Sequence, residues 1–200
     1  MDEQLRTVTE RLRMEAAAVS PTGGAKVPPQ SYERLCATGD PGELVQVLTE
    51  PGQPLWAREM AAFRLGRAGD RRAFETLILL LNHRDPERCA AAAHALARLG
   101  DPRTARAAAA LATNELRVAY ALHPVRLLTA LRAPESVPAL ITVLERRLGA
   151  PRDPYWRVAL ACVEGLGALG DGRAAPALTA ARGHPRLVAA ATAALARVGG

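Results

Sequence analysis

Four residues at matching positions along the chain have side chains suited to binding or acid–base chemistry. When the stretches that end in Leu-Gly or a close variant are aligned from that end, one column contains Phe63, His94, Arg126 and Glu164. Their neighbours are small or apolar, as a packed helix face requires. An imidazole, a guanidinium and a carboxylate serve in general acid–base catalysis when they reach one substrate. The column is a candidate binding surface, and a solvated helix face is the alternative.

A second candidate site comes from two long loops rich in proline and glycine. The loop TEPGQPLW ends at Trp56, and the loop LGAPRDPYW ends at Tyr155 and Trp156. Insertions in repeat proteins often gather on one functional edge, so these three aromatic residues are predicted to form a binding edge. The alternative is that both tryptophans pack against a neighbouring repeat.

Recognisable catalytic and metal-binding motifs are absent from the sequence. It contains no Walker motif, no GxGxxG after a predicted strand and no GxSxG. The four histidines share no metal-ligand spacing: His83, His94, His123 and His184. We therefore predict no catalytic residue, no metal and no cofactor, which favours a non-enzymatic protein while leaving catalysis open.

A short marker that recurs along the chain predicts the elements that hold these residues. Gly-Asp occurs at 39–40, 69–70, 100–101 and 170–171, and between the last two Ala133-Pro134 takes the place that Asp101-Pro102 has in its unit. The markers are about 30 to 38 residues apart, a period typical of repeat proteins. Two alanine- and leucine-rich stretches lie in each unit, and both residue types favour helix.

The marker has the composition of a link between two helices. Gly100 suits the left-handed position after a helix, where a Cβ would be penalised. Asp101 is predicted to cap the next helix, and Pro102 to lie in its first turn, where a missing N–H costs nothing. The same start signal recurs at 85–86 and 153–154.

A unit that reads D-P-x-x-R-x-A-A-x-A-L-x-x-L-G-D resembles the HEAT-like repeat of phycobilisome-lyase-type proteins. Residues 85–101 carry the resemblance best, and 153–171 and 184–200 support it. The resemblance implies an all-α fold, an α-solenoid of about five HEAT-like helix pairs that forms a right-handed superhelix with the second helices on its concave face. It also implies a structural ladder of Arg88, Arg157 and Arg186, each paired with the aspartate of a neighbouring turn.

Two domains are predicted from the pattern. Residues 1–38 form N-terminal capping helices, an amphipathic helix at 3–18 and a short helix at 32–37, joined by a flexible linker at 20–31. Residues 39–200 form the HEAT-like repeat domain. The alternative role of the first helix is to detach and dock a partner.

In the third unit, Pro124 is expected to kink or restart the second helix, with His123 outside the helical region.

Composition indicates a folded protein without a membrane span. Hydrophobic residues make up 49% of the 200 residues, and no apolar run approaches the length of a transmembrane helix. Because the N-terminal stretch lacks an apolar signal core, we expect a cytoplasmic protein with reduced thiols at Cys36, Cys89 and Cys162. The net charge of +6 indicates either an anionic partner or an arginine-rich composition without function.

Three functions remain compatible with the sequence. The main hypothesis is a non-enzymatic scaffold or adaptor that binds a protein or peptide in the concave groove or at the loop edge. One alternative is a nucleic-acid-binding or DNA-repair-like HEAT protein. The other is a lyase-like or biosynthetic accessory enzyme, with a pocket near Pro124 that contains His94, Arg126 and Glu164. The sequence does not predict an oligomeric state.

Overall fold

A computed structural model describes residues 3–18, 32–150 and 153–199 of the chain. Over these ranges the chain is helical and contains no β-strand, which confirms the all-α prediction. The chain divides into two compact units, residues 1–101 and 102–200. The predicted boundary at residue 38 stays a prediction, and the predicted linker at 20–31 lies outside the described residues.

The first unit contains six α-helices within its described residues. They are α1 (Glu3–Ala18), α2 (Tyr32–Ala37), α3 (Pro41–Thr49), α4 (Leu55–Arg67), α5 (Phe74–Leu81) and α6 (Pro86–Leu99). Helices α3 and α4 pack as one pair and α5 and α6 as the next, with α4 against α6. Helix α1, predicted from its amphipathic pattern, packs against α4 and α6.

The second unit repeats the pairing three times within its described residues. Its helices are α7 (Thr104–Thr113), α8 (Leu122–Leu131), α9 (Ser136–Leu148), α10 (Trp156–Leu169), α11 (Ala175–Ala181) and α12 (Val188–Val198). The second helices α8, α10 and α12 pack side by side, and the first helices α7, α9 and α11 form the other layer. The first unit contributes two helix pairs and the second three, and the total matches the five pairs predicted.

Aspartates at the starts of helices and 3₁₀ helices act as the caps that the sequence predicts. The side chains of Asp40, Asp85 and Asp171 each accept a hydrogen bond from the backbone N–H two residues later, at 2.8, 2.9 and 2.9 Å. Such a bond satisfies one of the free N–H groups of the first turn. Hydrogen bonds from the Arg173 side chain and backbone lower the pKa of Asp171 to about 2, so this cap stays charged.

The glycine of the marker takes the left-handed conformation, as predicted. Gly100 and Gly170 have φ values of 65° and 70°. The link after Gly100 is longer than expected. Helix α7 begins only at Thr104, Arg103 and not the predicted Asp101 occupies its N-cap position, and Pro102 lies in the turn before it. Where Ala133-Pro134 replaces the marker, Arg132 occupies the left-handed position with φ 51°. Its guanidinium donates to the carbonyl oxygen of Ala168 at 3.1 Å.

Pro124 restarts the second helix of the third pair, and His123 stays inside that helix. A 3₁₀ helix spans Glu115–Tyr120, and α8 begins at Leu122. Pro124 therefore lies in the first turn of α8, where no intrahelical N–H bond is lost. The expectation that His123 leaves the helical region was wrong, because the restart places the break two residues earlier.

Candidate functional site

The predicted column of four residues is divided between the two units. Phe63 and His94 lie on α4 and α6 of the first unit, and Arg126 and Glu164 lie on α8 and α10 of the second. The structure thus brings the first two together and, separately, places the last two on neighbouring helices. The binding role of the column stays a prediction.

In the first unit, Phe63 and His94 form an interior ring pair. Phe63 is 1% exposed, and its ring centroid lies 6.1 Å from that of His94 with an interplanar angle of 25°. The guanidinium of Arg67 lies 5.9 Å from the Phe63 centroid. A buried ring between an imidazole and a cation is a packing arrangement with little surface to offer a ligand.

In the second unit, Arg126 and Glu164 are both exposed to solvent. Helices α8 and α10 pack directly against each other, and Gly165, next to Glu164, leaves no room for a Cβ beside Thr129. Arg126 lies one turn before Thr129 on α8. A guanidinium and a carboxylate are therefore both accessible on two helices held at close approach.

A third group in this region, His123, was not among the predicted site residues. It lies three residues before Arg126, a spacing that places two side chains on one face of a helix. Burial lowers the pKa of the half-buried His123 imidazole, and the nearby Arg126 lowers it further. At neutral pH the ring is uncharged and able to accept a proton. The i, i+3 spacing was the signal in the sequence that could have identified it.

The aromatic residues of the two loops have different environments. Trp56 is 4% exposed, and its ring lies 6.4 Å from that of Tyr32 within the first unit. In the second unit, Tyr155 is 39% exposed and Trp156 is half-buried. The burial of Trp56 agrees with the alternative interpretation, in which this ring packs inside the protein. The predicted binding role of all three stays a prediction, and only Tyr155 and Trp156 have surface available for it.

Two arginines lie against Trp156. The guanidinium carbon of Arg157 is 5.5 Å from the centroid of the indole ring, and that of Arg186 is 5.0 Å from it. These distances are typical of cation–π contacts. The resemblance had implied pairing of both arginines with aspartates, but they lie on the indole ring instead.

Arg88, the third arginine of the implied ladder, belongs to a buried ion network in the first unit. It pairs with Glu59 of α4, with Glu15 of α1 at 2.5 Å and with Asp85 at 3.3 Å. Arg11 of α1 also pairs with Glu59. The network joins α1 to α4 and α6, so these ion pairs hold the three helices together.

No metal site or membrane span is found within the described ranges. No group of three or more histidine, cysteine, aspartate or glutamate side chains is arranged to hold a metal ion there. None of the helices described combines the length and apolar character needed to cross a bilayer. Cys36, Cys89 and Cys162 form no disulfide; Cys89 and Cys162 are buried, as expected, whereas Cys36 is half-buried.

Comparisons with known proteins confirm the repeat type. Residues 42–123 match the family model of HEAT repeats, and residues 158–183 match that of the PBS lyase HEAT-like repeat. No curated protein matches the chain. The structure is similar to the complex of CpcE and CpcF of phycocyanin lyase from Nostoc sp. PCC7120, with 24% identity and a TM-score of 0.58. That match covers 90% of this chain and 70% of the other, and it shows the fold.

These matches overturn the main functional hypothesis. A non-enzymatic scaffold was expected from the lack of a catalytic motif, but the repeat at 158–183 is of the PBS lyase kind and the structural neighbour is a lyase complex. Both findings favour the lyase-like alternative. Neither supports the nucleic-acid-binding alternative.

Proposed function

We propose that this chain, a protein of HEAT-like repeats, is a lyase-like protein that attaches or releases a small conjugated molecule and works with a protein partner. The match of residues 158–183 to the PBS lyase HEAT-like repeat carries the proposal. This segment covers most of α10 and all of α11, and it includes Glu164. The similarity of fold to a phycocyanin lyase complex supports the same class of activity.

The reacting groups in this proposal are His123, Arg126 and Glu164 of the second unit. In a lyase-type reaction, a bond is broken next to a carbon that loses a proton, or formed next to a carbon that gains one. Such a reaction requires one protein group that accepts a proton and another that supplies one. The neutral His123 imidazole accepts the proton. Arg126 holds a carboxylate of the substrate by a charge-assisted hydrogen bond. As the bond breaks, Glu164 on the neighbouring helix relays a proton from water to the departing group, and in the bond-forming direction both proton transfers run in reverse.

The partner in this proposal is a second protein. The structural neighbour is a complex of two proteins, and the present chain covers 70% of the matched chain in it. The complex belongs in the cytoplasm in this proposal, because Cys89 and Cys162 form no disulfide and reduced thiols are typical of reducing compartments.

Pigment binding is the first test of the proposal. Biliverdin is a conjugated dicarboxylate, and its visible absorption changes when a protein orders it. We expect saturable binding to the wild-type protein. Arg126→Gln should weaken binding by about 10- to 100-fold, the range for loss of one hydrogen bond to a charged group. Arg173→Gln, in the same unit but paired with Asp171 at 2.7 Å, is the matched control and should bind like wild type.

Reaction with a pigmented protein is the second test. The chain is incubated with phycocyanin, and pigment release or transfer is followed by absorption. His123→Gln and Glu164→Gln should each reduce the rate by about 10²-fold, as for loss of an acid–base group, while biliverdin binding is retained. A wild-type protein that neither binds biliverdin nor alters phycocyanin would overturn the proposal. Equal rates in both variants and in the wild-type protein would reject the acid–base roles of His123 and Glu164.

A further inference from the structure

An exposed edge of the second unit combines two aromatic rings with two cations. We define this cationic aromatic edge as Tyr155, Trp156, Arg157 and Arg186. Tyr155 and Trp156 lie at the start of α10, and Arg186 lies in the segment between α11 and α12. Both arginines are exposed, and both guanidinium groups lie on the ring of Trp156. Neither belongs to the acid–base group proposed above.

Within the part of the chain that the structure describes, the two cations of this edge have no acidic partner. Three other arginines of the unit do have one: Arg146 pairs with Glu115 at 3.3 Å, Arg147 with Asp153 at 3.4 Å and Arg173 with Asp171 at 2.7 Å. Among the described residues, no carboxylate lies within ion-pair distance of Arg157 or Arg186. Their contact with Trp156 restricts both guanidinium groups before any ligand arrives, which reduces the entropy lost on binding.

We propose that the cationic aromatic edge docks an acidic segment of a protein partner. Tryptophan, tyrosine and arginine are the residue types most often found at the energetic centres of protein interfaces. The chain carries a net charge of +6, which complements an acidic partner. Nucleic acid fits less well, because phosphate-driven binding needs many cations along one track and this edge supplies two.

The spacing of the cations defines the segment. Since they lie 5.5 and 5.0 Å from the same ring centroid, the two guanidinium carbons are at most about 10.5 Å apart. Two carboxylates on one side of an extended strand lie about 7 Å apart, and two on one face of a helix about 5–6 Å apart. Both spacings fall within this upper limit, so either segment is compatible with one carboxylate on each guanidinium.

A fluorescein-labelled heptaglutamate peptide tests the proposal with the full chain. We expect a rise in anisotropy on binding, weakened by added salt, and no rise with heptaglutamine. Arg157→Gln/Arg186→Gln should weaken binding by about tenfold or more, since charge-assisted bonds are lost at two cations. The control Arg146→Gln/Arg173→Gln loses the same charge from arginines that have acidic partners and should bind like wild type.

Tryptophan fluorescence provides a second readout. The chain has two tryptophans and Trp56 is 4% exposed, so a spectral change on peptide binding reports Trp156. The change should vanish in Trp156→Phe. Equal weakening in the two double variants, no heptaglutamate binding at low salt, or tighter binding of a DNA oligonucleotide than of the peptide at this edge would overturn the proposal. Because the test involves no pigment, it can fail while the lyase-like function holds, and the reverse is also true.

Discussion

The buried carboxylate of Glu59 is the most sensitive point of the first unit. Its side chain is 1% exposed, and it lies between two guanidinium groups, those of Arg11 and Arg88, which are 14% and 10% exposed. The three residues come from α4, α1 and α6. Glu59→Gln keeps the shape of the side chain and removes its charge. The substitution therefore tests the charge alone.

The expected loss follows from what remains around the two cations. Removing one partner of a buried ion pair costs about 3–5 kcal/mol, because the other charge stays desolvated. Glu15 still lies 2.5 Å from Arg88 and 2.9 Å from Arg11, so neither cation is left without an anion. We therefore expect the free energy of unfolding of the first unit to fall by about 3 kcal/mol, the lower end of that range.

Urea denaturation of the first unit measures this loss. In a Trp156→Phe background, tryptophan fluorescence comes from Trp56 alone and reports only the unit that contains Glu59. The change should appear as a lower midpoint with an unchanged slope. Added salt should leave the difference nearly intact, because buried pairs are screened little.

Two comparisons decide whether the charge is the cause. Glu87→Gln removes an exposed carboxylate that reaches Arg11 at 3.4 Å, and it should cost less than about 1 kcal/mol. The double variant Glu59→Met/Arg88→Met should lose less than the sum of the single variants, because it removes one anion and one cation together and leaves Arg11 paired with Glu15. A loss below about 1 kcal/mol for Glu59→Gln, the value of an exposed pair, would refute the reasoning.

Three further predictions concern space, protonation and thiol access. Gly167→Ala places a Cβ 2.7 Å from that of Ala194 and should lower the free energy of unfolding by about 1–3 kcal/mol, measured by thermal denaturation. The control is Gly172→Ala, whose Cβ meets nothing within 4 Å. A melting temperature of Gly167→Ala no lower than that of the control would contradict this prediction. Burial and a neighbouring cation lower the pKa of His123 in the folded chain, so the unfolded chain binds more protons below about pH 6.5 and stability falls as pH drops through that value. His123→Gln should flatten the dependence of the urea midpoint on pH, and an unchanged slope would reject this cause. Cys36 should react with Ellman's reagent in the native protein, with the two buried thiols reacting only after unfolding; three fast thiols would disprove that assignment.

The helix pairs were predictable because their signals are local. A glycine that accepts positive φ, followed by a carboxylate that caps the next turn, depends only on residues near in sequence. Gly100, Gly170 and Asp171 behave as this chemistry requires. Arg132 could not be predicted, since its left-handed backbone goes with a hydrogen bond to Ala168, a residue 36 positions away.

The candidate site was only partly predictable because exposure depends on what covers each helix. The aligned column located Arg126 and Glu164 on neighbouring helices, where both are exposed. It missed His123, whose lowered pKa comes from burial and from a neighbour on the same helix. It also gave Phe63 the same weight as the others, although the ring is buried. Periodicity identifies equivalent positions but not their neighbours in space.

The contrast between equivalent positions also explains why the proposed chemistry belongs to the second unit. Glu59 and Phe63, one turn apart on α4, are both buried in the unit where α1 packs on α4 and α6. The equivalent residues of α10 are Leu160, which is half-buried, and Glu164, which is exposed. The buried carboxylate of Glu59, held by two cations, stabilises a helix contact and is out of reach of a substrate. Glu164 is exposed on α10, which packs against the helix that carries His123, so a substrate can reach it from solvent.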